Sequence, residues 1–329
     1  MTPPPERTAI WWVRRDFRVH DNPVITRAQK NHVSLIPVVI ADDRSSLTGN
    51  DPLSRTFQES LAILIDEVRK YRGSVLVRTG DPIQELVDIL ASTQTSIVYS
   101  LQADDDKSKK LFQRAETRFQ LFCIKDESRR HTKYPDSLPT GNFRYFFNAW
   151  QSIPLEESNP DTTKSIVFRS LQPDKKSIVI ANKPDSLSIL KRDFFANRGL
   201  LTNYSSEKDR VDITSTSRLS PFISNGVLSQ SDLFKAAKTS VEKNPTMSES
   251  AKEYQRQIAW RDYFSAILYK TPEMELRTLD ASLLSIPWEN HEDDYSRWVN
   301  GETGYPIVDS AMRQISTEGW IHNRLRMIV

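Results

Sequence analysis

The sequence predicts an α/β domain with a doubly wound, mostly parallel sheet, followed by an all-α domain. Three observations carry this expectation. Over residues 6–130, short apolar and β-branched runs alternate with amphipathic helical stretches. From about residue 188 onward the apolar spacing is helical throughout. Between them runs a polar stretch containing Pro135, Pro139, Pro154, Pro160, Pro173 and Pro184. The boundaries this suggests are 1–130 for the α/β domain, 131–187 for a linker and 188–329 for the helical domain.

Ile10–Val13 and Val33–Ile40 read as the first two strands. Phe57, Leu61, Leu64, Ile65 and Val68 fall at the spacing of one helix face, and Gly73 stands where that helix should stop. Ser74–Val77 is the third strand, and Gly80-Asp-Pro82 punctuates before a helix carrying Ile83, Leu86, Val87 and Leu90. Ser96–Tyr99 and Phe119–Ile124 supply strands four and five. Between them, Asp104-Asp-Asp106 heads a helix, acid at its N-terminus suiting the dipole. Within the linker Asn142–Trp150 is dense in aromatics and reads as one docked segment. Helices are then expected over Leu187–Asn197, Gln230–Val241, Ser248–Tyr269 and Tyr305–Ser316.

Composition narrows the function classes. The 329 residues are 38% hydrophobic and 27% charged, which excludes wholesale disorder and suffices for about two cored domains. A single cysteine, Cys123, excludes an intrachain disulfide framework and cysteine-rich metal centres; in a strand it is expected to pack in the core. No metal-ligand spacing and no catalytic triad is found, so no metal is expected. Nothing approaches the roughly 20 apolar residues of a membrane span, and the first residues carry no signal core, so a cytoplasmic protein is expected. The charge balance, 45 basic against 43 acidic residues, leaves nucleic acid open. No G-x-G-x-x-G succeeds the first strand, which argues against a dinucleotide in the sheet crevice. The strand leads instead into Arg14-Arg-Asp-Phe-Arg-Val-His-Asp-Asn-Pro23, which in isolation reads as a solvated charged loop closed by Asn22-Pro23 at a helix start.

Four constellations in the helical half could carry chemistry. Tyr204, Lys208 and Arg210 precede Thr216-Ser-Arg-Leu-Ser-Pro221, whose hydroxyls and arginine suit phosphate oxygens, or equally an N-capping cluster. Gln257, Trp260, Arg261 and Phe264 share one helix face; amide, indole and guanidinium suit a flat polar-edged ligand such as a nucleobase, although a buried face with a snorkelling arginine has the same spacing. Trp298-Val-Asn-Gly-Glu-Thr-Gly-Tyr-Pro306 is a turn before a helix, with Trp298 unexplained by it. Gly319-Trp-Ile-His-Asn-Arg-Leu-Arg-Met327 sets Asn323, Arg324 and Arg326 in an apolar frame, where anionic partners or a solvated face would accommodate them.

With these motifs the sequence resembles the DNA photolyase/cryptochrome family, most nearly a class I cyclobutane pyrimidine dimer photolyase. Arg14–Asn22 is similar to that family's first βα loop and Gly141–Trp150 to its interdomain aromatic segment. The order TSRLSP, AWRDYF, TGYPIVDSAMRQ, GWIHNRLRM is similar to its helical domain. The resemblance implies light-dependent DNA repair by a carbon–carbon lyase: electron transfer from excited reduced FAD splits the dimer. It places FAD in the helical domain, with Tyr204, Thr216, Ser217, Arg218, Leu219 and Ser220 at its phosphates and Tyr254 and Arg324 lining its cavity. Gln257, Trp260, Arg261 and Phe264 would face DNA, Trp260 stacking on the flipped dimer. Asn323 would bond the pyrimidine edge and Met327 pack on it, with Lys208 and Arg326 on the phosphate side. Trp298 matches the outermost tryptophan of an electron relay. A monomer is implied.

Three departures from the family pattern stand in the sequence. Gln257 stands where many dimer photolyases have Glu. Tyr99–Lys107 lacks the Asn-Glu pair that binds folate in some members, which leaves a second antenna chromophore, of folate or deazaflavin type, unassigned. The sequence stops at Arg326-Met-Ile-Val329 in an apolar helical pattern, so a C-terminally truncated member is expected. The alternatives are a cryptochrome-like photoreceptor or a non-catalytic DNA-binding remnant.

Overall fold

In the computed structural model, residues 7–41, 45–102, 105–126, 138–154, 166–171, 176–178, 186–196, 199–275, 278 and 280–329 are described. Five strands form one parallel sheet: β1 (Arg7–Val13), β2 (Val33–Ala41), β3 (Leu76–Thr79), β4 (Ile97–Leu101) and β5 (Gln120–Ile124), in the order β3-β2-β1-β4-β5. This is the doubly wound arrangement expected, with the order reversing between β1 and β4. Alternation along β1 sends Ala9, Trp11 and Val13 to one face and Ile10 and Trp12 to the other, and both faces are buried.

Three helices of this half start with one device. α1 (Pro23–Lys30), α2 (Pro52–Lys70) and α3 (Pro82–Thr93) each carry proline in their first turn, behind an Asn22, Asp51 or Asp81 whose side chain accepts two backbone N–H groups. α4 (Asp106–Glu116) is capped by Asp105; Asp104 of the expected acidic start lies outside the described residues. The linker holds α5 (Phe143–Ser152), the docked aromatic segment. Part of the remaining linker is sheet-bound. Leu35 N–H donates to the Val167 carbonyl and Arg169 N–H to the Leu35 carbonyl, and Phe168 is buried against the first core. Gly73 makes room for it: a Cβ there would stand 2.7 Å from the Phe168 Cβ. The glycine expected as a helix stop thus also serves close packing. Of the linker prolines, 135, 160, 173 and 184 lie outside the described residues.

The second half is helical as expected: α6 (Ser186–Phe195), α7 (Ser220–Ser224), α8 (Gln230–Lys243), α9 (Ser248–Lys270), α10 (Glu292–Asn300), α11 (Pro306–Glu318) and α12 (Asn323–Arg326). α10 has no counterpart in the sequence expectation; none of its residues is fully buried, so it lacks the apolar stripe that periodicity detects. Asn197, the expected end of α6, lies outside the described residues.

Two readings are corrected. The loop after β1 is not solvated: Asp16, Phe17, Arg18 and Val19 are buried because the helical half covers them. Arg18 donates to the Gly226 and Asp21 carbonyls and pairs with Asp126, while Phe17 N–H donates to the Asn225 carbonyl. Gly226, at φ +72°, lets the backbones meet; a Cβ there would stand 1.8 Å from the Arg15 carbonyl oxygen. Cys123 is not in the core either. It lies exposed on edge strand β5, which has no described strand on its outer side.

Candidate flavin and DNA site

α9 is 23 residues long and runs through the site. Near its start, Tyr254 packs edge-on against Tyr204 with ring centroids 5.6 Å apart, and both touch Phe194. Burial raises both phenols; Tyr254 is pushed up to about 12, so both stay neutral. The Tyr254 hydroxyl lies beside Ser217 yet is buried with no well-formed hydrogen bond among the described residues. A native core seldom leaves such a group unpaired.

Ser217 belongs to the loop 216–220. Leu219 is fully buried and anchors it; Thr216, Ser217 and Arg218 are half-buried, and Ser220 is exposed at the first position of α7. Arg218 takes the left-handed conformation at φ +52°, pairs with Glu318 and lies 4.3 Å from the Trp320 ring centroid. The C-terminal segment thereby closes on this loop.

A charged chain runs from there to α9. The Arg324 guanidinium bonds Asp209 at 2.8 Å and holds its carboxyl at about 2. Lys208 bridges Asp209, at 2.7 Å, and Glu253, at 3.7 Å. Glu253 accepts a hydrogen bond from Gln257 Nε2 at 2.9 Å. Lys208 is therefore an ion-paired, half-buried ammonium and not a free surface cation.

Trp260 is half-buried on the same helix. Its ring lies face to face with Phe143 of α5, centroids 3.4 Å apart and planes 8° off parallel. Phe264 continues the stack on its own helix, 5.8 Å from Trp260 and exposed. The Arg261 guanidinium leaves this group and donates to the Ile223 carbonyl, lining an interdomain cavity with Arg14, Arg15 and Arg18. Gln257, Trp260 and Phe264 thus stay together, while Arg261 faces the joint. Trp298 is half-buried on α10, beside Tyr295. Asn323 and Arg326 are exposed on α12 and Met327 just after it, and Met327 Sδ lies 4.0 Å from Arg324 Nη1.

Several members of the site escape the motif reading. Asp209, Glu253 and Glu318 sit beside the cations; the i,i+4 spacing of Glu253 and Gln257 was a usable signal, while the pairing of Arg218 with Glu318 was not. Asp262, fully buried, accepts from Trp150 Nε1 at 2.9 Å and Gln230 Nε2 at 2.8 Å and so ties α5, α8 and α9 together. Among the described residues no cluster of metal-ligating side chains occurs.

The donor set at 216–220 suits a diphosphate: hydroxyls, the Arg218 guanidinium paired with Glu318, and the Tyr254 O–H, which has no well-formed hydrogen bond among the described residues. The residues present therefore fit an FAD. Among the cavities bordering the α/β half, two lie beside the loop after β1. One is the interdomain cavity above; the other, of about 240 Å³, opens at the carboxyl ends of β1 and β2 among Trp12, Arg14, Phe17, Ala41, Phe57 and Leu111.

Fold and site together define a class: a doubly wound parallel sheet joined to a helical unit in which a hydroxyl-and-arginine loop meets an amide-and-indole helix. Comparison with known proteins gives the family. Residues 9–151 match the DNA photolyase model and residues 254–329 the model for the FAD binding domain of DNA photolyase. The chain is 26% identical over 363 residues to the deoxyribodipyrimidine photo-lyase of Alkalihalophilus pseudofirmus, covering 96% of this chain and 71% of that protein. It is 24% identical to cryptochrome-2 of Arabidopsis thaliana, covering 98% of this chain and 59% of that one. The class III photolyase of Agrobacterium tumefaciens superposes with a TM-score of 0.79 at 23% identity, over 99% of this chain and 72% of that structure. The chain belongs to the DNA photolyase/cryptochrome family.

Proposed function

We propose that this protein binds FAD in its helical half and uses light to split cyclobutane pyrimidine dimers in DNA. One observation carries the reading. A single helix, α9, presents Tyr254 to the loop 216–220 and, about one and two turns later, Gln257 and Trp260, so a cofactor on that loop and a base on that helix are brought together. The family models and the photo-lyases among the relatives support it.

In this reading Thr216, Ser217 and Ser220 hydroxyls, the Leu219 backbone and Arg218 hold the phosphates, with Tyr204, Tyr254 and Arg324 closing the cavity. The chemistry a bound reduced FAD supplies is light-driven donation of one electron to the dimer ring. Trp298 serves in an electron relay. A dimer flips out of the duplex more readily than an intact pair, because its stacking and pairing are weakened. Gln257 and Asn323 meet the pyrimidine edge, and Trp260, Phe264 and Met327 give an apolar platform. Arg326, exposed on α12, supplies positive charge toward the backbone, whereas Lys208 is held by Asp209 and Glu253 and Arg261 turns to the joint. The two cavities beside the loop after β1 are the places for an antenna chromophore of folate or deazaflavin type. No helix among the described residues is long and apolar enough to cross a membrane; we take the protein to act as a cytoplasmic monomer on DNA.

The cryptochrome matches favour a second reading, a photoreceptor that shares the flavin site and lacks repair. The absorption spectrum of the purified protein tests the flavin: bands at one flavin per chain support both readings, and a folded, colourless protein that FAD does not reconstitute contradicts both. Preference for dimer-containing over intact DNA then separates them.

A further inference from the structure

The geometry points to Glu253 as a positioning residue that fixes Gln257 as a hydrogen-bond acceptor, which makes the site selective for pyrimidines that carry an N3–H. This inference rests on the proposed reading that dimer-containing DNA binds at α9.

An amide side chain has two faces, a carbonyl that accepts and an NH2 that donates, and rotation about its last bond exchanges them. A glutamine alone on a helix would therefore match either thymine, whose N3–H donates, or cytosine, whose N3 accepts. Gln257 is not alone. Glu253 lies one turn earlier, and its carboxylate oxygen stands 2.9 Å from Gln257 Nε2. An ionised carboxylate only accepts, so the NH2 must face it and the carbonyl must face away. The carboxylate is itself held: Lys208 Nζ lies 3.7 Å from one oxygen and Arg256 Nη1 3.6 Å from the other. Two cations thus hold the acceptor in place.

The consequence is a free carbonyl. Gln257 is half-buried, and among the described residues its Oε1 accepts no hydrogen bond and is not enclosed. It shares its helix with Trp260 and Phe264, at one and two turns' distance, where a base would stack. An N3–H in the plane of that base meets an acceptor. The N3 of a cytosine meets an oxygen instead, and acceptor faces acceptor. A glutamine held this way does for an imide what a carboxylate would do, without a second negative charge beside Glu253.

The test is a discrimination ratio. Duplexes with one thymine dimer, one cytosine dimer or no lesion are compared by competition binding to the flavin-loaded protein, before the saturated cytosines deaminate. The parent is expected to prefer the thymine dimer roughly tenfold, the scale of one matched against one mismatched hydrogen bond. Glu253→Gln, nearly isosteric and able to donate, and Glu253→Ala are each expected to shrink that ratio at least about fivefold. A merely structural role for Glu253, or the loss of its Lys208 contact, would weaken both lesions alike and leave the ratio standing. An unchanged ratio in both variants overturns the inference, as does a parent that binds dimers well without telling thymine from cytosine. A parent that binds lesion-free DNA as tightly as either dimer removes the underlying reading of the site, a pattern distinct from the other two.

Discussion

Replacing Tyr254 by phenylalanine should move two measurements in opposite directions. In the free protein the Tyr254 hydroxyl is buried, lies beside Ser217 and makes no well-formed hydrogen bond among the described residues. A polar group buried without a partner costs about 1–3 kcal/mol, so deleting its oxygen from an otherwise unchanged ring should stabilise the flavin-free protein by about 1 kcal/mol. For a chain of 329 residues that is a rise in melting temperature of roughly 1–2 °C. The same hydroxyl is the donor available to an oxygen of a cofactor on the loop 216–220. A hydrogen bond to a charged oxygen contributes about 1.5–3 kcal/mol, so FAD should bind roughly tenfold or more weakly to the variant. Differential scanning fluorimetry of the flavin-free protein reads the first effect, and quenching of FAD fluorescence on titration reads the second. A variant that melts lower than the parent and binds FAD as tightly would refute the reasoning, because the hydroxyl would then be a structural group with a partner inside the fold.

Three other perturbations probe the joint and the stack. Gly226→Ala should destabilise the protein by roughly 2–5 kcal/mol in chemical denaturation, since it adds a left-handed penalty to a Cβ 1.8 Å from the Arg15 carbonyl; a neutral result would mean that the two halves do not meet there. Trp260→Ala should lower the preference for dimer-containing over intact DNA by roughly 1–3 kcal/mol, and equal loss of affinity for both duplexes would count against stacking. His20 sits between Asp232, at 2.9 Å, and Glu67, at 3.5 Å, and these partners raise its pKa to about 10 while Asp232 falls to about 2. The two shifts act on opposite limbs of the pH profile. The His20 contribution is complete below the unfolded value near 6.5 and is lost as pH rises through about 10; the Asp232 contribution is complete above 3.8 and is lost as pH falls through about 2. Thermal stability should therefore decline on the alkaline side in the parent, and His20→Gln should flatten that limb; identical profiles would refute the clamp.

The strands were legible because their apolar runs are short, β-branched and separated by turn residues, and each of the five expected runs overlaps a strand of the sheet. The long helices were legible for the matching reason, an apolar stripe at helical period. The loop after β1 was not, because Arg14, Arg15, Asp16 and Arg18 look solvated until the helical half is laid over them, and local composition carries no record of a partner two hundred residues away. Cys123 misled in the opposite sense: a small apolar residue in a strand suggests the core, but β5 is an edge strand and its side chain faces outward. At the site, the hydroxyl loop and the α9 face could be read from residue type and spacing. Of the carboxylates that organise them, Asp209 and Glu318 are ordinary surface residues in the sequence and gain meaning only through the cations they meet, while Glu253 is marked only by its i,i+4 spacing from Gln257. Trp260 shows the limit most clearly, for spacing marks its face of the helix but says nothing of Phe143, which covers the ring.

The central claim, light-driven dimer splitting at α9, is tested most directly by one assay. The protein, reconstituted with FAD and reduced, is mixed with a duplex carrying a single thymine dimer within a restriction site, and one half of the sample is exposed to blue light while the other is kept dark. The account predicts that the restriction site returns in the illuminated half alone and that intact duplex is unchanged. A flavin-loaded protein that binds the dimer yet leaves it uncleaved under illumination would contradict it.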